Sequence, residues 1–257
     1  MTTLIKLNEI NCMDCFEGLK NIPNESVDCI ITDPPYGINY HSNRYKGKNP
    51  HKKIIGDDKL SVPVNEFWRI LKPTGCIFIF HSHKVPLEDK RKKNTIIWVK
   101  NNHTAGNLKG DFGNQYESIA FIPKEEFKLK SKRYSNVWYF DKVPPNKLLH
   151  PSEKPIEIIK RMVECSTNEG ALILDPFIGS GTTAVVCKQL NRNFIGFEID
   201  QEYVDIANKR VYSETKVGMI EYNKETKQNL RPDTKAADIF MESSSNIVTI
   251  TNGGENI

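Results

Sequence analysis

From residue 171 to residue 211 the chain alternates in a way that leaves few folds open. An apolar run at 171–174 meets the turn Asp175-Pro176-Phe177-Ile178-Gly179-Ser180-Gly181, and helical spacing follows over 182–190. A second apolar run occupies 194–199, and another helical stretch covers 203–211. Strand, helix and strand in that order require parallel strands joined by a right-handed crossover. Parallel strands are buried on both faces, so they read as continuous apolar runs. A β-branched run of this kind stands at Val27-Asp28-Cys29-Ile30-Ile31-Thr32. With 257 residues the chain can hold one α/β domain of good size.

The rest of the chain fits around that core. Residues 8–14 read as a short strand ending in an acid, and 16–20 as a brief helix. Residues 64–71 have helical spacing that Lys72-Pro73-Thr74-Gly75 stops. Strand-like runs follow at 76–80, 95–99 and 118–122, then an aromatic cluster at Trp138, Tyr139 and Phe140. Pro155 sits at the start of a helix over 156–165, where its missing N–H costs nothing. Past residue 214 the rhythm is lost. The expected division is one domain over 1–214, with loops within 37–58 and 100–149, and a tail or small appendage over 215–257.

Composition excludes several classes. The 38% hydrophobic and 26% charged content is that of a globular chain rather than a disordered one. Met1-Thr2-Thr3-Leu4-Ile5-Lys6 lacks the apolar core of a signal peptide, and no run is long enough to span a membrane, so a cytoplasmic location without a membrane partner is expected. Cys12-x-x-Cys15 has metal-pair spacing, but no second Cys or His pair completes a zinc site, so reduced thiols and no metal are expected. The net charge of +4 is too small to establish nucleic-acid binding, and its distribution matters more. Residues 37–53 carry Arg44, Lys46, Lys48, Lys52 and Lys53 among Tyr40, His41, Tyr45 and His51, with no acid. That stretch is either a solvated loop or one that contacts phosphates and bases. A second basic segment, 124–133, takes the DNA-contacting role if the first is only a linker.

Two short motifs carry the chemistry. Asp33-Pro34-Pro35-Tyr36 follows the 27–32 run, at the carboxyl end of a strand, where an open α/β sheet places its ligands. The prolines lack N–H groups and present bare carbonyls in a fixed direction. Carboxylate, carbonyl and aromatic ring together suit a planar amine such as the exocyclic NH2 of a nucleobase. Taken alone, the four residues also make an ordinary strand-ending turn. In the second motif Gly179 and Gly181 let the backbone approach a ligand, and the helix start supplies N–H donors. A dinucleotide loop is one reading, with Ala184 in the third glycine's place. Glu198 ends the next strand, placed to hold two ribose hydroxyls, which reads as a nucleoside pocket without the demand for a pyrophosphate.

With both motifs in this order, the chain resembles the S-adenosylmethionine-dependent amino DNA methyltransferases of the permuted β group. The match covers residues 8–211 in discontinuous blocks. His150-Pro151-Ser152-Glu153-Lys154-Pro155 is similar to the family's His-Pro-Thr-Gln-Lys-Pro block, with Ser152 and Glu153 replacing Thr and Gln. The resemblance implies a Rossmann-like, circularly permuted, seven-stranded and mostly parallel sheet with helices on both faces and one antiparallel strand. The 171–174 strand is expected beside the Asp33 strand, followed by 194–199 and then 8–12. The resemblance also implies transfer of a methyl group from S-adenosylmethionine to the N6 of adenine in double-stranded DNA, with the target base flipped out. Asp33, Pro34, Pro35 and Tyr36 form the implied catalytic set. On the cofactor side Glu198 holds the ribose and Asp14 the adenine amine, with Cys15 beside it. Asp175, Phe177, Gly179, Ser180 and Gly181 shape the pocket, and Ser152, Lys154 and Thr182 serve the methionine end. N4-cytosine methylation, RNA amine methylation and a non-catalytic DNA-binding protein on this fold stand as alternatives. Asp33 favours adenine, because the cytosine enzymes more often carry Ser there. A cognate restriction endonuclease and a homodimer stay open as further partners.

Overall fold

The apolar residues after Ser26 form β2 (Val27–Thr32), the centre of the sheet. It pairs in parallel with β3 (Leu71–His81) on one side and β7 (Leu172–Asp175) on the other. Next to β7 lies β8 (Asn193–Glu198) and then β1 (Ile10–Cys12), again parallel. This is the strand order expected from the sequence. Beyond β3 come β5 (Tyr116–Pro123), antiparallel to both neighbours, β4 (Asn94–Val99) and β6 (Val137–Tyr139). The order is β1-β8-β7-β2-β3-β5-β4-β6. The structure is a computed structural model describing residues 5–36, 62–103, 110, 112–144, 146–150 and 153–225, with side chains to residue 213. Among these residues β5 is the single antiparallel strand, as expected, and β6 adds an eighth.

Two local differences from the sequence reading have clear causes. β6 has three residues, too few to show a period, and Trp138 packs it into the core while Ile97 donates its N–H to Asn136 at 2.8 Å. β3 begins at Leu71, the last residue of the stretch expected to be helical, and runs through the expected stop at Lys72-Pro73-Thr74-Gly75. Its register against β2 breaks between Val27–Leu71 and Cys29–Cys76, so Lys72-Pro73-Thr74-Gly75 forms an irregularity within the strand. Pro73 is tolerated there because a break in the ladder leaves no partner waiting for its missing N–H.

The pleat divides the core between two helical layers. Cys29, Ile31, Phe78 and Phe80 face α3 (Ile156–Ser166), α4 (Thr182–Gln189) and α5 (Gln201–Glu225). Ile30, Ile77, Ile79 and Phe197 face α1 (Cys15–Lys20) and α2 (Val64–Ile70). α4 is buried from Thr182 through Cys187 because it lies between the sheet and its neighbouring helices, which accounts for its apolar character all round. α5 runs past the end expected near residue 211. No proline stands between 211 and 225, and the Glu, Lys and Met residues there have good helix propensity.

Asp33 stands one residue past the end of β2, at the carboxyl edge of the parallel strands. The second basic segment starts elsewhere. β5 runs antiparallel and its last residue, Pro123, pairs with Cys76, so residues 124–133 leave from the opposite edge. That location separates the segment from the edge where Asp33 lies. The basic loop 37–53, Ser152 and the residues after 225 lie outside the described residues. Among the described residues no helix is long and apolar enough to cross a membrane.

Candidate active site

Strand register brings four acids from distant parts of the chain to one edge. Ile30 pairs with Leu174, Asp175 with Gly196, and Cys12 with Glu198. Asp33, Asp175, Glu198 and Asp14 therefore follow one another along the carboxyl ends of β2, β7, β8 and β1. Such an edge repels a pyrophosphate and suits a nucleoside that carries positive charge. The dinucleotide alternative is disfavoured on that ground.

The Asp33 carboxylate sits in a cluster contributed by four segments. Its Oδ1 accepts a hydrogen bond from the Tyr36 hydroxyl at 2.6 Å, and its Oδ2 accepts from the Lys154 ammonium. Lys154, just ahead of α3, also lies 3.5 Å from Glu117 Oε2 and packs 5.0 Å from the Phe80 ring centre. Glu117 lies on β5, and its Oε1 accepts from Lys100 at 2.6 Å. Burial pushes the Asp33 carboxyl above the usual range, against the pull of Lys154, and the charge of Glu117 adds to the rise. Burial acts in the same direction on Glu117, but Lys154 and Lys100 together hold that carboxyl below its ordinary value. Burial and the two neighbouring carboxylates raise the Tyr36 phenol well above normal, so it remains a neutral donor.

The glycine turn after β7 is held from both ends. Gly179 and Gly181 take positive φ values of 50° and 81°, and a Cβ at Gly181 would stand 2.9 Å from that of Ala207. Asp175 accepts from Thr183 Oγ1 at 2.6 Å and from the Phe177 N–H at 3.2 Å. Burial lifts its carboxyl to about 7. Glu198 accepts from the Gly179 N–H at 3.1 Å and the Asp200 N–H at 2.9 Å, and burial raises its carboxyl as well. Asp14 caps α1 by accepting from the Phe16 N–H at 2.8 Å and remains exposed. Cys15 next to it is buried against the α1–α2 core, its thiol pushed up to about 12 by burial.

Ser180 and Thr182 face a partner that sequence reasoning missed. Arg210 of α5 donates to Ser180 Oγ at 3.2 Å and to Thr182 Oγ1 at 3.0 Å, and it pairs with Glu153 at 2.9 Å. Both charged side chains of that pair are at most 6% exposed. The guanidinium thus ties the glycine turn to the block before α3, and Glu in the family's Gln position gains a cationic partner. His150 of the same block stacks edge-on against Tyr203 at 4.4 Å, and its ring would stand 3.6 Å from a Cβ at Gly179. Glu117 and Lys100 were missed too. Their only sequence signal is placement, since Lys100 follows one apolar run and Glu117 precedes the next.

A permuted Rossmann-like sheet with Asp-Pro-Pro-Tyr after its central strand and a glycine turn after the neighbouring one defines a methyltransferase of the S-adenosylmethionine-dependent kind. The chain belongs to the DNA methylase family, whose pattern matches residues 27–209. It is 32% identical over 243 residues to the type II methyltransferase M.HpaI of Haemophilus parainfluenzae, covering 79% of this chain and 74% of that one. Identity to M2.DpnII of Streptococcus pneumoniae is 33% over 236 residues, covering 78% and 88%. Among solved structures, the M1.HpyAVI–SAM complex superposes with a TM-score of 0.58 at 32% identity, over 79% of this chain and 98% of that one. The cytosine-N4-specific PvuII DNA methyltransferase superposes at 0.59 with 16% identity, a likeness of fold alone. S-adenosylmethionine is the methyl donor, and the residues present fit it: an acidic edge, two glycines at positive φ and a carboxylate at the end of β8.

Proposed function

We propose that this chain transfers the methyl group of S-adenosylmethionine to the exocyclic N6 of adenine at a specific site in duplex DNA. Asp33 carries the reading: a buried carboxylate at the end of the central strand, oriented by Tyr36 and followed by the bare carbonyls of Pro34 and Pro35. The adenine amine is a weak nucleophile because its lone pair is delocalised into the ring. Asp33 and the Pro34 carbonyl accept its two N–H bonds, draw the nitrogen toward tetrahedral geometry and stabilise the positive charge that develops there. Tyr36 fixes Asp33 through its hydroxyl and offers its ring to the base, which leaves the duplex to reach this depth. Glu198 holds the ribose of the donor, Asp14 its adenine amine, and the Phe177–Gly181 turn its flank. When bound, S-adenosylmethionine supplies an electrophilic methyl carbon, so the target nitrogen gains a carbon and gives up one proton.

Long-read methylation mapping of DNA from cells expressing the chain tests this reading, with the Asp33→Ala variant alongside. The expected result is N6-methyladenine in one sequence context, lost in the variant. N4-methylcytosine in its place transfers the assignment to cytosine.

A further inference from the structure

Both oxygens of the Asp33 carboxylate already accept a hydrogen bond, one from Tyr36 and one from Lys154. Each oxygen can accept a second hydrogen bond, so an incoming amine finds room on Asp33, but while Lys154 stays its charge offsets the carboxylate that faces the amine. Tyr36 is tethered three residues away on the same loop, whereas Lys154 ends a flexible side chain. The Lys154 side chain is 8% exposed, and a buried ammonium leaves one carboxylate readily only for another. Glu117 offers that second carboxylate. Its Oε1 is taken by Lys100, but its Oε2 stands 3.5 Å from the Lys154 nitrogen and 3.4 Å from the Tyr36 hydroxyl, close to both and tightly bound to neither.

We propose that Glu117 is the second seat of the Lys154 ammonium, receiving it when the target amine takes over Asp33, and is thereby a positioning residue for methyl transfer. The inference rests on Asp33 being the residue that receives the amine. With Lys154 on Asp33, a positive charge sits where positive charge must develop on nitrogen. With Lys154 on Glu117, the full negative charge of Asp33 faces the amine. The proton released by the methylated nitrogen goes to Asp33, and when the product leaves, Lys154 returns and that proton passes to water. The groups facing this exchange are Asp33 and Tyr36 after β2, Lys100 after β4, Glu117 on β5, Lys154 before α3, and Asp175 at the end of β7, whose charge couples to Asp33.

Two variants of the full chain give opposite signs. Glu117→Gln removes the second seat and pins Lys154 on Asp33. The Asp33 titration midpoint, read by carboxyl 13C NMR without cofactor, should move down, and the single-turnover methylation rate should fall roughly tenfold or more with cofactor affinity unchanged. Lys100→Met frees Glu117 to draw Lys154 away, so the Asp33 midpoint should move up. Glu117→Asp should recover part of the rate lost in Glu117→Gln. A Glu117→Gln rate within about twofold of the parent, or midpoint shifts of the same sign in both variants, overturns the proposal. If Glu117→Gln fails to fold, an unmoved midpoint in Lys100→Met overturns it equally. Asp33→Ala run in parallel separates the two levels. Activity retained there overturns the assignment of Asp33 itself, whereas its loss beside an unaffected Glu117→Gln overturns only the second seat.

Discussion

The Lys154 ammonium meets the Asp33 carboxylate in a largely buried ion pair across 121 residues of chain. The pair joins the loop after β2 to the entry of α3, so the sheet centre and the helical layer share one electrostatic contact. Lys154→Met leaves Asp33 and Glu117 as neighbouring carboxylates with Lys100 as the remaining cation of the cluster. That variant should lose about 3–5 kcal/mol at neutral pH. The loss should shrink in acid, because burial already raises the Asp33 carboxyl and protonation relieves the unpaired charge. Urea denaturation of parent and variant at several pH values checks this. A deficit that stays constant with pH would contradict it.

Asp175 gives a second pH effect of known sign. Its carboxyl titrates near 7 in the folded chain against 3.8 for an ordinary Asp, so the folded state holds the proton more tightly. Stability should therefore fall as pH rises through the window between those values, by up to about 4 kcal/mol from this group. Asp175→Asn should flatten that part of the stability–pH curve while keeping an acceptor for Thr183. Parallel curves for parent and variant would show that Asp175 ionises normally.

The motifs proposed to touch ligands were readable because their chemistry is local. Asp33-Pro34-Pro35-Tyr36, the Gly179–Gly181 turn and Glu198 each follow an apolar strand, and parallel pairing forces their ends together. The order of the flank β7, β8 and β1 came from the resemblance to the amino DNA methyltransferases. Glu117 and Lys100 were not readable, because antiparallel pairing of Val99 with Tyr116 creates their meeting and no motif marks either residue. Arg210 was hidden differently: on a surface-type helix a lone arginine reads as solvated, and its buried partner Glu153 lies far away in sequence. β6 escaped because three residues carry no period.

Glu198 should control cofactor binding with little effect on DNA binding. Removing a charged acceptor costs about 1.5–3 kcal/mol, so Glu198→Ala should weaken S-adenosylmethionine binding by roughly 10- to 100-fold. Glu198→Gln should fall between variant and parent. Isothermal titration calorimetry reads both, and unchanged affinity in Glu198→Ala would remove the ribose from this residue.

Arg210 should matter for stability because its loss leaves Glu153 charged and buried. Arg210→Met should cost about 3–5 kcal/mol in denaturant unfolding, and adding Glu153→Gln should recover a large part of it. A single variant as stable as the parent would mean the clamp contributes nothing.

The most direct measurement incubates purified protein with duplex DNA and S-adenosylmethionine labelled in its methyl group, followed by mass spectrometry of the digested nucleosides. Labelled N6-methyldeoxyadenosine should form with the parent chain, and its rate should drop roughly 100- to 1,000-fold or more in Asp33→Ala. Label in N4-methyldeoxycytidine, or undiminished N6 labelling by Asp33→Ala, would contradict the assignment.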